Sequence, residues 1–212
     1  MHVSKIHLPI RGSASTLVLS SALAFALVLA FSVAASAQDI YQVTYFANNT
    51  GTAATVPDAF VRILNPGVAV GALCASIYVW RSDQELSECC SCPITPNGLL
   101  TFTVRSVTAN PGDGNPGSPV TGSIDIISDS ACDATNPTPT PDLRAWATHL
   151  TFNTVTAGYD VTETPFLDTP LSAGELAEAS SRCGFIRVNG SNRGRCDYAP
   201  IADICAGTGG PI

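Results

Sequence analysis

The sequence predicts a mainly β protein: an antiparallel β-sandwich, immunoglobulin-like in rhythm, with one short C-terminal helix and a disulfide framework. Three observations carry this expectation. Apolar and polar residues alternate with a period of two in one run after another. Clusters of Gly, Pro, Asn and Asp separate the runs. All eight cysteines lie beyond a segment that reads as an export signal.

The runs fall in order along the chain. Tyr41, Val43 and Tyr45 alternate with Gln42 and Thr44. Val61 and Ile63 flank Arg62, and Asn65-Pro66-Gly67 turns the chain. Leu73 to Trp80 is a longer apolar stretch with Ala75, Ile77 and Val79 on one face. Leu100, Phe102 and Val104 alternate with Thr101, Thr103 and Arg105, and Ile124 and Ile126 flank Asp125. Across Arg144 to Phe152, the residues Trp146, Leu150 and Phe152 share a face, and Ile186 and Val188 suggest a last strand. These make about seven short strands rich in branched and aromatic residues.

One segment reads as helix. Ser172 and Glu175 have capping-box spacing, in which hydroxyl and carboxylate satisfy the open N–H groups of a first turn. Leu176, Ala177 and Ala179 follow, and Gly184 is a natural stop, which places the helix at Ala173 to Cys183. Two proline-rich stretches, Asn110 to Pro119 and Asn136 to Asp142, read as extended, solvated loops between strands.

The first 37 residues have the anatomy of a signal peptide. Lys5 and Arg11 give a basic start, Leu17 to Val33 is apolar, and Ala35-Ser36-Ala37 is a small-x-small cleavage box. Residues 38–212 then form a single exported domain, extracellular or periplasmic, with no membrane segment after cleavage; retention of the apolar run as an anchor is the alternative. Removing 37 of 212 residues leaves 175, enough for one ordinary core.

Composition prunes the chemistry. Loss of Lys5 and Arg11 leaves eight basic residues against 17 acidic ones, a net charge of −9. A surface of that sign lacks the basic footprint for nucleic acid or anionic lipid. Beyond residue 37 there is no lysine and no methionine, and His149 is the one histidine. Schiff-base chemistry is absent, zinc sites with two histidines are impossible, and a triad hydrolase would have to use His149 as its base. No G-x-S-x-G elbow occurs. The composition implies no cofactor.

Cys89, Cys90 and Cys92 form the densest chemical feature, in what reads as a loop between strands. Structural disulfides are the first reading for these three and for Cys74, Cys132, Cys183, Cys196 and Cys205. The sequence leaves the pairing open, with Cys74, Cys132 and the C-terminal three as candidate partners. Cys89-Cys90-Ser91-Cys92 is also formally a C-x-x-C, which keeps a redox dithiol and a thiolate metal site as alternatives.

The runs Leu73 to Trp80 and Ser87 to Leu99, with Cys183-Gly184-Phe185-Ile186, Asn189-Gly190-Ser191, Gly194 and Cys196, resemble a family of uncharacterised secreted proteins from soil bacteria. The resemblance covers a minority of the mature chain. It implies a shared scaffold and transfers no functional residue.

Other candidates are scattered. His149 counts onto the face of Ala147 and Thr151 and reads as an outward histidine. Asp160, Glu163 and Asp168 read as loop carboxylates that could serve a glycosidase. Asp113-Gly114-Asn115 and the set Asp125, Asp129 and Asp133 offer oxygen ligands for calcium. Asn48-Asn49-Thr50 and Asn189-Gly190-Ser191 match glycosylation sequons. Tyr41, Tyr45, Tyr78 and Trp80 read as core or cross-strand pairs, or as a ligand surface. Together these observations point to an exported, non-enzymatic structural, adhesive or binding protein with a cell-surface ligand or self-assembly as its partner. A hydrolase using loop carboxylates and a metal or redox protein using the Cys89 to Cys92 segment are the rivals. A filament subunit that donates Gln38 to Phe46 to a neighbour's sheet is a further version.

Overall fold

The computed structural model describes residues 40–47, 60–69, 71–103, 121–189, 195–198 and 202–206. The signal segment, the Asn110 to Pro119 stretch, Asp113-Gly114-Asn115, Val104 and Asn48-Asn49-Thr50 lie outside them.

The strands are β1 (Tyr41–Ala47), β2 (Phe60–Leu64), β3 (Leu73–Arg81), β4 (Leu86–Ile94), β5 (Leu99–Thr103), β6 (Thr121–Asp129), β7 (Arg144–Asn153), β8 (Gly158–Pro165) and β9 (Leu167–Asp168). Helix α1 (Ala173–Asn189) follows, then β10 (Asp197–Tyr198), β11 (Ala202–Asp203) and a 3₁₀ turn, Ile204–Ala206. One sheet has the order β4-β3-β6-β1-β9 and a second β5-β2-β7-β8, with β10-β11 as a small third. The ladders between β1 and β9 are antiparallel. The chain passes repeatedly from one large sheet to the other, so their apolar faces meet in a sandwich.

Period two decides what is inside. Ala75, Ile77, Val79, Ile124 and Ile126 from the first sheet meet Val61, Ile63, Leu100 and Phe102 from the second in one buried cluster. The predicted inward face of β7 is reversed. Ala145 and Ala147 are buried, whereas Trp146 and Leu150 are only half-buried. Val61, Ile63 and Phe102 fill the interior beside β7, and methyl groups fit what remains.

Four other expectations are corrected. Cys89 to Cys92 belongs to strand β4, not to a loop; Pro93 is accommodated because β4 is an edge strand. Asp160 and Glu163 lie on strand β8, whose side chains are almost all exposed, so no burial pattern marks it in the sequence. Helix α1 runs through Gly184 to Asn189, which turns the expected Ile186–Val188 strand into its last turns. Leu176, Ala179, Cys183 and Ile186 recur at helical spacing and pack against Tyr78, Leu86 and Cys89. That burial outweighs the cost of about 1 kcal/mol for a mid-helix glycine. The Asn136 to Asp142 stretch is pinned rather than freely solvated. Asp129 is fully buried, and its Oδ1 accepts from the N–H groups of Ala131 (2.8 Å) and Thr138 (2.6 Å).

The helix start is as expected: Ser172 Oγ accepts from the Glu175 N–H (3.1 Å) and Glu175 Oε2 from the Ser172 N–H (2.9 Å). Strand β1 pairs with β6 and β9 of its own chain.

Candidate functional site

All eight cysteines are paired: Cys74–Cys132, Cys89–Cys183, Cys90–Cys196 and Cys92–Cys205. Strand geometry explains how adjacent Cys89 and Cys90 take different partners. Cys90 and Cys92 stand opposite Ile77 and Ala75 and face the core, whereas Cys89 stands opposite Tyr78 on the other face. Cys89 therefore meets helix α1, and Cys90 and Cys92 meet the C-terminal tail. The sulfurs of Cys90, Cys92 and Cys205 lie within 4.8 Å of one another, but each is spent on a disulfide and none is a thiolate.

The other predicted candidates are dispersed. Asp160 and Glu163 are three residues apart on one strand and leave opposite faces. Asp160 accepts from Asn153 (2.9 Å), and Glu163 pairs with Arg62 (3.3 Å). Asp168 is on β9 in the other sheet. His149 does not point outward as expected: on the Ala147 face it is half-buried, stacks on Tyr45 at 5.2 Å, and sets Nε2 3.1 Å from Thr164 Oγ1. The calcium set is dismantled by local bonds. Asp129 Oδ2 accepts from Ser76 Oγ (3.0 Å) and the Asp133 N–H (3.1 Å). Asp133 caps Thr135, whose hydroxyl and N–H hold its carboxyl below the ordinary range.

The tyrosine and tryptophan candidates do converge. Between helix α1 and the outer face of the first sheet is a cleft of about 290 Å³. Tyr41, Tyr78 and Trp80 supply aromatic walls, Asp125 is a carboxylate on the sheet, and Glu175 and Glu178 come from the helix. Tyr45 is not among these residues. The sheet dictates the arrangement: Tyr78 stands directly opposite Asp125, Trp80 opposite Ser123 and Tyr41 opposite Ile127. The Cys89–Cys183 bridge holds the helix over them.

Asp125 is the unusual group. Tyr41 donates to its Oδ2 (3.0 Å). Burial pushes its pKa up to about 6, against the pull of the Tyr41 hydroxyl, Ser123 and Trp80. The Trp80 indole approaches the carboxylate without completing a hydrogen bond, and among the described residues neither Trp80 Nε1 nor Asp125 Oδ1, both buried, has a partner. Burial also raises the Tyr41 and Tyr78 hydroxyls; Tyr78 donates to the Ala134 carbonyl (2.8 Å). At the rim Glu178 pairs with Arg182, whose guanidinium lies 5.8 Å from the Trp80 ring centre. Sequence reasoning missed Glu175 and Glu178 as site residues because Glu175 reads as a cap and nothing local singles out Glu178.

A second hollow of about 630 Å³ is lined mainly by Pro139, Pro170, Leu171 and Leu176, with Asp168 as its one carboxylate. It has fewer convergent polar groups. Among the described residues no helix is long and apolar enough to cross a membrane.

No family model and no curated protein matches the chain. Among solved structures, the Anabaena sensory rhodopsin transducer aligns at 13% identity over 58% of this chain and 94% of its own, with a TM-score of 0.32, a likeness too slight to carry any argument.

Proposed function

We propose that this is an exported, non-enzymatic binding protein of the cell exterior, and that it binds through the cleft between helix α1 and the first sheet. The observation that carries the reading is the convergence of Tyr41, Tyr78, Trp80 and Asp125 in one cleft beneath a disulfide-anchored helix. Aromatic walls with few placed polar groups are the usual makeup of a ligand site. Four disulfides suit an oxidising exterior. With every cysteine paired, support for a redox or thiolate role falls away. The split of Asp160, Glu163 and Asp168 between strands and sheets likewise removes support for a hydrolase built on them.

The test is thermal unfolding of protein from the exported fraction, with four bridges intact, against a panel of small neutral, cationic and anionic compounds. Intact mass checks the premise: a chain starting at Gln38 and eight hydrogens light is expected. A rise in Tm with a compound that is recovered unchanged supports binding. Conversion of a panel compound, lost in Asp125→Asn, replaces binding with catalysis.

A further inference from the structure

The ligand class follows from what the cleft lacks. Asp125 is a half-buried carboxylate with no counter-ion among the described residues. The groups that face it are Tyr41 from β1, Tyr78 and Trp80 from β3, Ser123 from β6, and Glu175 and Glu178 from α1. None of these is positive. Arg182, at the rim, is engaged by Glu178 and lies over Trp80. An unpaired carboxylate in such a site costs free energy that a bound cation recovers. Aromatic faces around it attract the same charge.

A second observation narrows the class. Asp125 Oδ1 and Trp80 Nε1 are both buried and approach one another without completing a hydrogen bond, so a group inserted between them can donate to the one and accept from the other. A ligand that satisfies both brings a donor and an acceptor close together. We propose that the cleft binds a small protonated amine bearing a neighbouring hydroxyl group, with the ammonium on Asp125 and the hydroxyl oxygen accepting from Trp80. Amino sugars and amino alcohols share this chemistry. Neither buried atom touches solvent, so the ligand enters with a rotation of the Trp80 ring. The inference rests on the binding reading above and specifies its ligand.

The experiment uses the disulfide-intact protein in a Trp146→Phe background, which leaves Trp80 as the emitting tryptophan. Glucosamine and ethanolamine are titrated against their neutral counterparts, glucose and ethylene glycol, by Trp80 emission and by calorimetry at pH 7.5. The amines should bind at least about tenfold tighter than the neutral compounds. Glucosamine tighter than ethanolamine assigns a sugar, and the reverse an amino alcohol. Asp125→Asn should abolish the preference for the amine, whereas Glu163→Gln, on the far sheet, should retain it. Below pH 6 amine affinity should fall as Asp125 takes up a proton, and at pH 6 binding should release protons, seen as a buffer-dependent heat. Equal binding of glucose and glucosamine overturns the amine while leaving the cleft a binding site. No response to either amine at millimolar concentration also overturns it; silence from the whole compound panel overturns the binding reading as well.

Discussion

Removing the bridge between β4 and helix α1 tests how the disulfides act together. Cys89 and Cys183 are 94 residues apart in sequence. Taken alone, closing a loop of that size restricts the unfolded chain by about 4.7 kcal/mol. The bridge is not alone, because Cys90–Cys196 already joins the neighbouring residues. With that bridge present, the path runs from Cys89 to Cys90, across the disulfide and back from Cys196 to Cys183, a loop of about 15 residues, whose closure is worth about 3 kcal/mol. The double variant Cys89→Ala/Cys183→Ala should therefore lose about 3 kcal/mol. Alanine is chosen because both sulfurs are fully buried and a serine hydroxyl there would lack a partner. Guanidinium unfolding under non-reducing conditions measures the loss, with thiol alkylation confirming that three bridges remain. A loss of about 5 kcal/mol or more refutes the nested-loop reasoning. A loss below about 1 kcal/mol refutes the entropic account itself.

Three further perturbations probe the sheet and the cleft. Asp125 has an ordinary pKa of 3.8 and a folded one of about 6, so the folded protein holds this proton more tightly. Its contribution to stability is complete below pH 3.8 and lost above pH 6; Asp125→Asn should match the parent near pH 4 and exceed it by up to about 3 kcal/mol at pH 7.5, and an equal effect at both pH values counts against burial as the cause. Asp129→Asn should cost about 3 kcal/mol in chemical denaturation, because an amide nitrogen replaces one oxygen of a fully buried carboxylate whose two oxygens each accept two hydrogen bonds; a loss under about 1 kcal/mol would mean the loop is held elsewhere. Gly122→Ala should lower Tm sharply, because the added methyl collides with the Trp80 carbonyl and crowds the Phe46 ring; an unchanged Tm would show that β6 can shift.

Legibility in the sequence followed burial. Leu100 and Phe102 alternate with Thr101 and Thr103, and Ile124 and Ile126 flank Asp125, because one face of these stretches is dry, and all four lie in the core. Strand β8 has no dry face, so its Thr, Asp and Glu residues read as loop. Cysteine misled in the opposite direction: Cys89, Cys90 and Cys92 look like a chemical cluster, yet they occupy strand positions as small buried residues and alternate between faces. Gly184 failed as a stop signal because the packed stripe from Leu176 to Ile186 continues past it. The cleft was half visible. Tyr41, Tyr78 and Trp80 could be named, but the pairing of Tyr78 with Asp125 depends on the β3–β6 register, which brings together residues 47 positions apart and has no local signature.

The order of the bridges along the chain sets a problem for biosynthesis. Cys74 and Cys132 can join once 58 residues separate them, but the three thiols of β4 must wait for partners 94, 106 and 113 residues downstream. Until Cys205 arrives, adjacent thiols stand ready to exchange with any disulfide already formed nearby. In a chain that oxidised as it emerged, non-native pairs among these thiols would compete with the native ones and be resolved by thiol–disulfide exchange. The same long-range pairing that ties β4 to the helix and the C-terminal tail thus sets the order in which the bridges can form.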